Sequence, residues 1–355
     1  MKKDKVDTDQ KKIKVVIWDL DNTLWNGTLL ENDDVYVDDE IVNIIKTLDN
    51  RGILQSIASK NEYNLAMEKI EQFGLSEYFL YPQINWNPKS QSVETIVKSI
   101  NVGKNTVAFI DDQSYEREEV AYTHPQVMVI DAVDLNQVLD MPEMNPRFIT
   151  ADSKIRRKMY QSDIERKSVE ETYEGPKDEF LATLNMVLTI AEATEEDLKR
   201  AEELTARTHQ LNTTGYTYSY DELDDFRKSD DHKLLIASLD DKYGTYGKIG
   251  VSLLETKSET WTIKLFLMSC RVMSRGVGTV LINHIRNEAR ESGVRLLAEF
   301  IPSDVNRMMY MTYKFSHFKE IETNGSLIIL ENDLREIQKF PTYLQEVIIK
   351  NSIPV

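Results

Sequence analysis

Lys14-Val-Val-Ile-Trp-Asp-Leu-Asp-Asn-Thr-Leu-Trp25 is the stretch on which the reading of this chain turns. Val15 to Trp18 is a short, apolar, largely β-branched run, which predicts a buried strand. Asp19, Asp21 and Thr23 follow it directly. Carboxylates at the end of a buried strand are costly without a counter-charge. A Mg²⁺ ion with oxygen ligands supplies one. Asp19 is then placed to act as a nucleophile, and Asp21 as a general acid and base on the same substrate. Taken alone, Asp-x-Asp fits a polar turn after a strand equally well.

The 355 residues predict two domains. A hydrophobic content of 41% is enough for real cores, and the net charge of −17 argues against nucleic acid or an anionic membrane as partner. The single cysteine, Cys270, excludes an internal disulfide framework and a cysteine-based zinc site. No apolar run is long enough to span a bilayer, and residues 1–12 are almost wholly polar. A cytoplasmic enzyme with a disordered N-terminal dozen residues is therefore expected.

Ile41, Val42, Ile44, Ile45 and Leu48 recur at helical spacing before Gly52, and residues 53–58 read as the next strand. Ser59 at its end can donate to a phosphate oxygen; the other reading is an N-cap for the helix that follows. Pro88 fixes the backbone just ahead of Lys89, which opens a helix. Residues 106–110 form another buried strand, and Asp111-Asp112 ends it, a pair that makes sense as metal ligands. These segments place carboxylates, hydroxyl and lysine at the carboxyl ends of parallel strands, where doubly wound sheets hold their sites. The short interval between Asp21 and Ser59 leaves little room for a large cap.

Two prolines in residues 141–147 end the first domain, and a charged helix over residues 153–171 leads on. The division expected is a catalytic domain over 13–147, a linker helix over 148–180, a second domain over 181–332 and a C-terminal extension over 333–355. The second domain reads as α+β, with strands over 184–190, 234–238, 248–255, 261–268 and 294–300 and a helix over 195–207. A loop, Cys270-Arg-Val-Met-Ser-Arg-Gly-Val-Gly278, precedes an amphipathic helix, so backbone N–H groups are offered to a phosphate there.

Asp19-Leu-Asp-Asn-Thr-Leu24 resembles motif I of the haloacid dehalogenase superfamily of phosphotransferases. The resemblance implies that Ser59 and Lys89 bind phosphate, and that Asp19, the Asp21 carbonyl and Asp111 or Asp112 hold Mg²⁺. The second domain resembles the GNAT acyltransferases, which implies a CoA or phosphopantetheine arm at Arg271, Arg275, Gly276 and Gly278, with Asn306 and Tyr313 near the thioester. Tyr313 is then the candidate acid. A GNAT-shaped domain that binds no CoA is the other reading. The order of the two halves, with Asp19-Leu-Asp-Asn-Thr-Leu-Trp25, Ser59-Lys-Asn61, Asn85-Trp86, Glu202-Glu-Leu-Thr-Ala-Arg-Thr-His-Gln-Leu-Asn212 and Met268-Ser-Cys-Arg271, resembles the FkbH-like proteins. That family implies transfer of a glyceryl group from 1,3-bisphosphoglycerate to an acyl carrier protein, in polyketide pathways, with release of phosphate. Two residues depart from the pattern: Ala58 replaces the cysteine common before the motif II serine, and Ser274 stands where a loop glycine belongs. A simple phosphatase, a carrier-binding scaffold and an N-acyltransferase working through the second domain are the alternatives.

Overall fold

The computed structural model describes residues 12–31 and 34–350. Residues 1–11 of the stretch expected to be disordered, and 351–355 of the C-terminal extension, lie outside the described residues. The chain divides into two units, residues 1–161 and 162–355.

The first unit is α/β. In chain order it runs β1 (Val15–Trp18), α1 (Asp39–Asn50), β2 (Leu54–Ser59), α2 (Tyr63–Gln72), β3 (Gln83–Ile84), α3 (Lys89–Ile100), β4 (Val107–Asp111), α4 (Ser114–Thr123) and β5 (Met128–Asp131). A short helix α5 (Ala151–Lys154) follows, and the division between units falls inside α6 (Arg156–Thr172). The sheet order is β3-β2-β1-β4-β5 and every pair is parallel. All four residues of β1 are wholly buried, as a central parallel strand covered on both faces requires. Helix α1 buries Ile44, Ile45 and Leu48 on one face. Gly52 ends the turn after it with φ +72°, and a Cβ there would lie 2.8 Å from the Ser153 carbonyl oxygen, so only glycine fits. Strand β2 ends on Ser59 and not before it, so the serine belongs to the sheet. Between β1 and β2 the described residues contain one helix and no second sheet, in keeping with the absence of a large cap. The chain builds outward from β1 in one direction and then returns to β4 on its other side, so the switch point lies between β1 and β4.

The second unit is α+β. It contains α7 (Lys177–Thr183), β6 (Met186–Glu192), α8 (Glu195–Arg207), α9 (Tyr220–Lys228), β7 (His232–Asp241), β8 (Gly244–Thr256), β9 (Thr260–Met268), α10 (Val277–Glu291), β10 (Arg295–Phe300), α11 (Arg307–Phe315), β11 (Phe318–Asn324), β12 (Leu327–Asn332) and β13 (Leu344–Lys350). Among the described residues the sheet has eight strands in the order β11-β12-β10-β9-β8-β7-β6-β13. It is antiparallel except at β9/β10 and β6/β13. Residues 344–350, read from the sequence as part of an extension beyond the domain, lie along β6 as an edge strand. Arg166 is buried in this unit. Its guanidinium lies 2.6 Å and 2.9 Å from the two Asp241 oxygens and 3.8 Å from the Tyr246 ring centre.

Candidate active site

Four elements meet at the carboxyl ends of β1 and β4. Asp19 leaves β1 with its amide donating to the Ile110 carbonyl at 2.9 Å, which locks it beside β4. Asp111 is the last residue of β4 and Lys89 the first of α3. Glu116 projects from the first turn of α4. All four are buried. The Lys89 ammonium lies 2.6 Å from Asp19 Oδ1 and also contacts Asp111 Oδ2 and Glu116 Oε2. Lys60 reaches the other Glu116 oxygen at 2.8 Å.

Burial sets the electrostatics. It raises the Asp19 carboxyl to about 7, against the pull of Lys89 and with the help of Asp111. Asp111 is also raised by burial, opposed by Lys89. For Lys89, burial acts downward but is outweighed by Asp19 and Asp111, so its ammonium is held charged well above the usual lysine range. Glu116 goes the other way: burial is overcome by Lys60 and Lys89, and the carboxyl is held below the usual range. Three carboxyl groups thus face two ammonium groups, and burial makes Asp19 hold its proton more tightly than a free carboxyl does.

The donor chemistry fits Mg²⁺. One carboxylate oxygen from each of Asp19, Asp111 and Glu116 lies within 4.8 Å of the others. Hard carboxylate oxygens at this spread suit a small divalent cation. Two further oxygens are buried without a hydrogen-bond partner, Asp112 Oδ1 and Thr23 Oγ1. A buried oxygen without a partner is costly unless a cation or ordered water satisfies it.

Asp21 is held by a different set of partners. Its Oδ1 accepts from the Trp25 indole at 2.8 Å and the Leu29 amide at 3.0 Å, and its Oδ2 from Asn61 Nδ2 at 3.1 Å. Three donors fix the orientation of its carboxylate. Ser59 is buried at the end of β2, its carbonyl accepting from the Asn85 amide at 3.0 Å. Glu116 was not singled out from the sequence. Its signal was an acidic residue in the first turn of the helix after β4, which is also a common way to complement a helix N-terminus.

The second unit treats its expected ligand residues differently. Cys270 to Arg275 form a 3₁₀ turn in which Ser274 is exposed. Arg271 is half-buried. Arg275 is buried, 3.1 Å from Glu170, with its guanidinium over the Phe180 ring. Gly276 is left-handed and Gly278 lies in the first turn of α10. Both line a groove of about 90 Å³ with Met268, Met273, Met308 and Thr279. Asn306 is buried, its amide donating to the Asn212 and Ile301 carbonyls. Tyr313 is wholly buried between Phe266 and Phe318. Burial raises that phenol far above its usual range.

No protein-family model and no curated protein matches the chain. Solved structures similar to parts of it include the N-terminal part of a Bacteroides fragilis protein containing a phosphatase domain, complexed with Mg. That match has 27% identity over 39% of this chain and 42% of that one, with a TM-score of 0.36. The ribosomal-protein-S18-alanine N-acetyltransferase of Escherichia coli matches at 17% identity over 41% of this chain and 92% of its own, with a TM-score of 0.33. The PaiA N-acetyltransferase of Thermoplasma acidophilum, in complex with coenzyme A, matches at 16% identity over 41% of this chain and 98% of its own, with a TM-score of 0.31.

Proposed function

We propose that the first unit is a Mg²⁺-dependent phosphotransfer site of the haloacid dehalogenase type. The observation that carries this reading is the buried Asp19–Lys89–Asp111–Glu116 cluster at the carboxyl ends of β1 and β4. Asp19, Asp111 and Glu116, with the partnerless Asp112 oxygen beside Asp111, are the groups that would hold the cation. When bound, Mg²⁺ neutralises phosphoryl oxygens and favours attack at phosphorus.

The chain's own groups do the rest. An Asp19 oxygen attacks phosphorus and the bond from phosphorus to the leaving oxygen breaks. Lys89 holds Asp19 at 2.6 Å and keeps its carboxylate aimed. Asp21, oriented by Trp25, Leu29 and Asn61, gives a proton to the leaving oxygen. It then takes one from the water that cleaves the aspartyl phosphate and releases inorganic phosphate.

The finer reading is the FkbH-like one, in which a carrier-protein thiol attacks the acyl carbon of an acyl phosphate and phosphate leaves. Two features of the first unit support an accessible mouth and a direct route. The interval between β1 and β2 has no cap sheet among the described residues. Ala58 is buried inside β2 and offers no thiol to hold the acyl group on the way. Hydrolysis without acyl transfer is the competing outcome. No helix among the described residues is long and apolar enough to cross a membrane.

Phosphate release from acetyl phosphate and from p-nitrophenyl phosphate, with and without Mg²⁺, tests the site. Asp19→Asn is expected to abolish it, and activity retained within about tenfold, roughly 1.4 kcal/mol of barrier, would remove Asp19 from the chemistry. With 1,3-bisphosphoglycerate and an acyl carrier protein present, the mass of the carrier separates transfer from hydrolysis. Peptide mapping of the enzyme should find no adduct on β2; one on the exposed Cys270 would show that the second unit supplies the thiol.

A further inference from the structure

A parallel pair of strands that parts midway leaves two unpaired edges. Such a gap is a ready seat for an extended arm carrying amide groups, because the strand edges supply its hydrogen bonds. In the second unit β9 and β10 pair only from Arg295 opposite Thr260 to Ala298 opposite Ile263. Beyond that point no ladder pairing joins them, and the Lys264 and Glu299 side chains still meet across the gap.

The chain fills this gap itself. Leu211, Asn212 and Thr213, from the loop between α8 and α9, lie along the free edge of β9. The Met268 amide donates to the Leu211 carbonyl at 3.0 Å, and the Thr213 amide to the Phe266 carbonyl at 3.0 Å. The Phe266 amide donates to Thr213 Oγ1 at 3.0 Å. On the other side the Ile301 amide, just past β10, donates to the Thr213 carbonyl at 2.9 Å. Asn306 closes the arrangement by donating to the Asn212 carbonyl at 3.0 Å. Asn212 and Thr213 are wholly buried.

The phosphate end is covered as well. A Cβ built on Gly276 would sit 2.0 Å from the Tyr343 hydroxyl, so the space over this glycine belongs to that tyrosine. Arg275, the cation next to it, is turned inward to Glu170. The neighbouring groove holds about 90 Å³, against roughly 300–1,000 Å³ for sites that take drug-sized ligands.

We propose that the second unit uses no acyl-CoA or pantetheine arm: the strand gap is taken by Leu211, Asn212 and Thr213, and the space over Gly276 by Tyr343. The GNAT-like shape is kept, and the chain's own groups occupy the ligand's places. Asn306 is a holder of the inserted segment and not a partner of a thioester. This conclusion does not depend on the chemistry assigned to Asp19.

Calorimetric titration of the full chain with CoA to millimolar concentration, together with hydrogen–deuterium exchange on the ligand-free chain, tests it. The amides of Phe266, Met268 and Ile301 should exchange as slowly as core amides of β7 and β8, at least about a hundredfold below the unfolded-chain rate, and CoA should give no saturable heat. Saturable CoA binding overturns the proposal. So does loop-like fast exchange at those three amides while β7 and β8 stay protected, because the gap would then be open. Phosphate release by the first unit is read separately and is unaffected by either result.

Discussion

Lys89 Nζ lies 2.6 Å from Asp19 Oδ1, with both side chains almost wholly buried. This lysine also meets Asp111 and Glu116, so one ammonium touches three carboxylates from three different segments. It holds β1, β4 and the first turn of α4 to the start of α3.

Removing that ammonium should therefore cost both structure and activity. Lys89→Met leaves the carboxylates buried without their main counter-charge. Breaking a buried ion pair by removing one partner typically costs about 3–5 kcal/mol. Urea denaturation without metal should show a loss of that order, partly restored by saturating Mg²⁺. A loss below about 1 kcal/mol, the scale of an exposed pair, would mean that water reaches the cluster.

Glu116 offers a subtler change. Glu116→Gln keeps the shape but removes one charge facing Lys60 and Lys89. Mg²⁺ affinity should fall about 10–100-fold, the usual effect of altering a group next to or within a metal shell. Isothermal titration with Mg²⁺ measures this directly, and unchanged affinity would place Glu116 outside the metal's reach.

The raised Asp19 carboxyl gives a pH signature. In the metal-free protein its pKa is about 7, above the ordinary carboxylate value that it has when unfolded. Between those two values the folded state holds the proton more tightly, so this group adds stability as pH falls from about 7 and removes it as pH rises. The melting temperature in EDTA should carry this slope between neutral pH and the ordinary carboxylate range. Asp19→Asn should flatten it. In the wild type Mg²⁺ should bind less well as pH falls through the same window, because proton and metal compete for one carboxylate.

In the second unit Arg166 is the group whose loss should be felt most. Its fork meets Asp241 at two oxygens and Asp163 at 2.6 Å. Arg166→Met removes the counter-charge of the wholly buried Asp241 carboxylate, leaving it only the Tyr243 and Gly244 amides and the Tyr246 hydroxyl. Destabilisation of about 3–5 kcal/mol is expected by chemical denaturation, while the double change with Asp241→Leu should recover much of it. No recovery would show that packing on Tyr246, and not charge, is what Arg166 contributes.

The strands were legible because burial writes itself locally. Val15 to Trp18, and the run that became β4, are short apolar stretches ending in carboxylates. A parallel sheet with its acidic site at the strand ends follows from them. Asp19, Lys89 and Asp111 could be placed at one edge for the same reason. The sequence did not single out Glu116, because an acidic residue in a helix's first turn has a local use that masks a distant one. Only the packing of α4 against α3 brings it to Lys89. The segment at Leu211, Asn212 and Thr213 carries no periodic signal, and its place between β9 and β10 depends on where those two strands part. Arg275 was read as a phosphate cation from its neighbours in the chain, yet its guanidinium pairs with Glu170, more than a hundred residues earlier. Local hydrophobic pattern determines which segments become strands and helices. Which charged or polar group meets which is decided only when distant elements pack, because each buried group must then find its partner among the residues the fold has brought near.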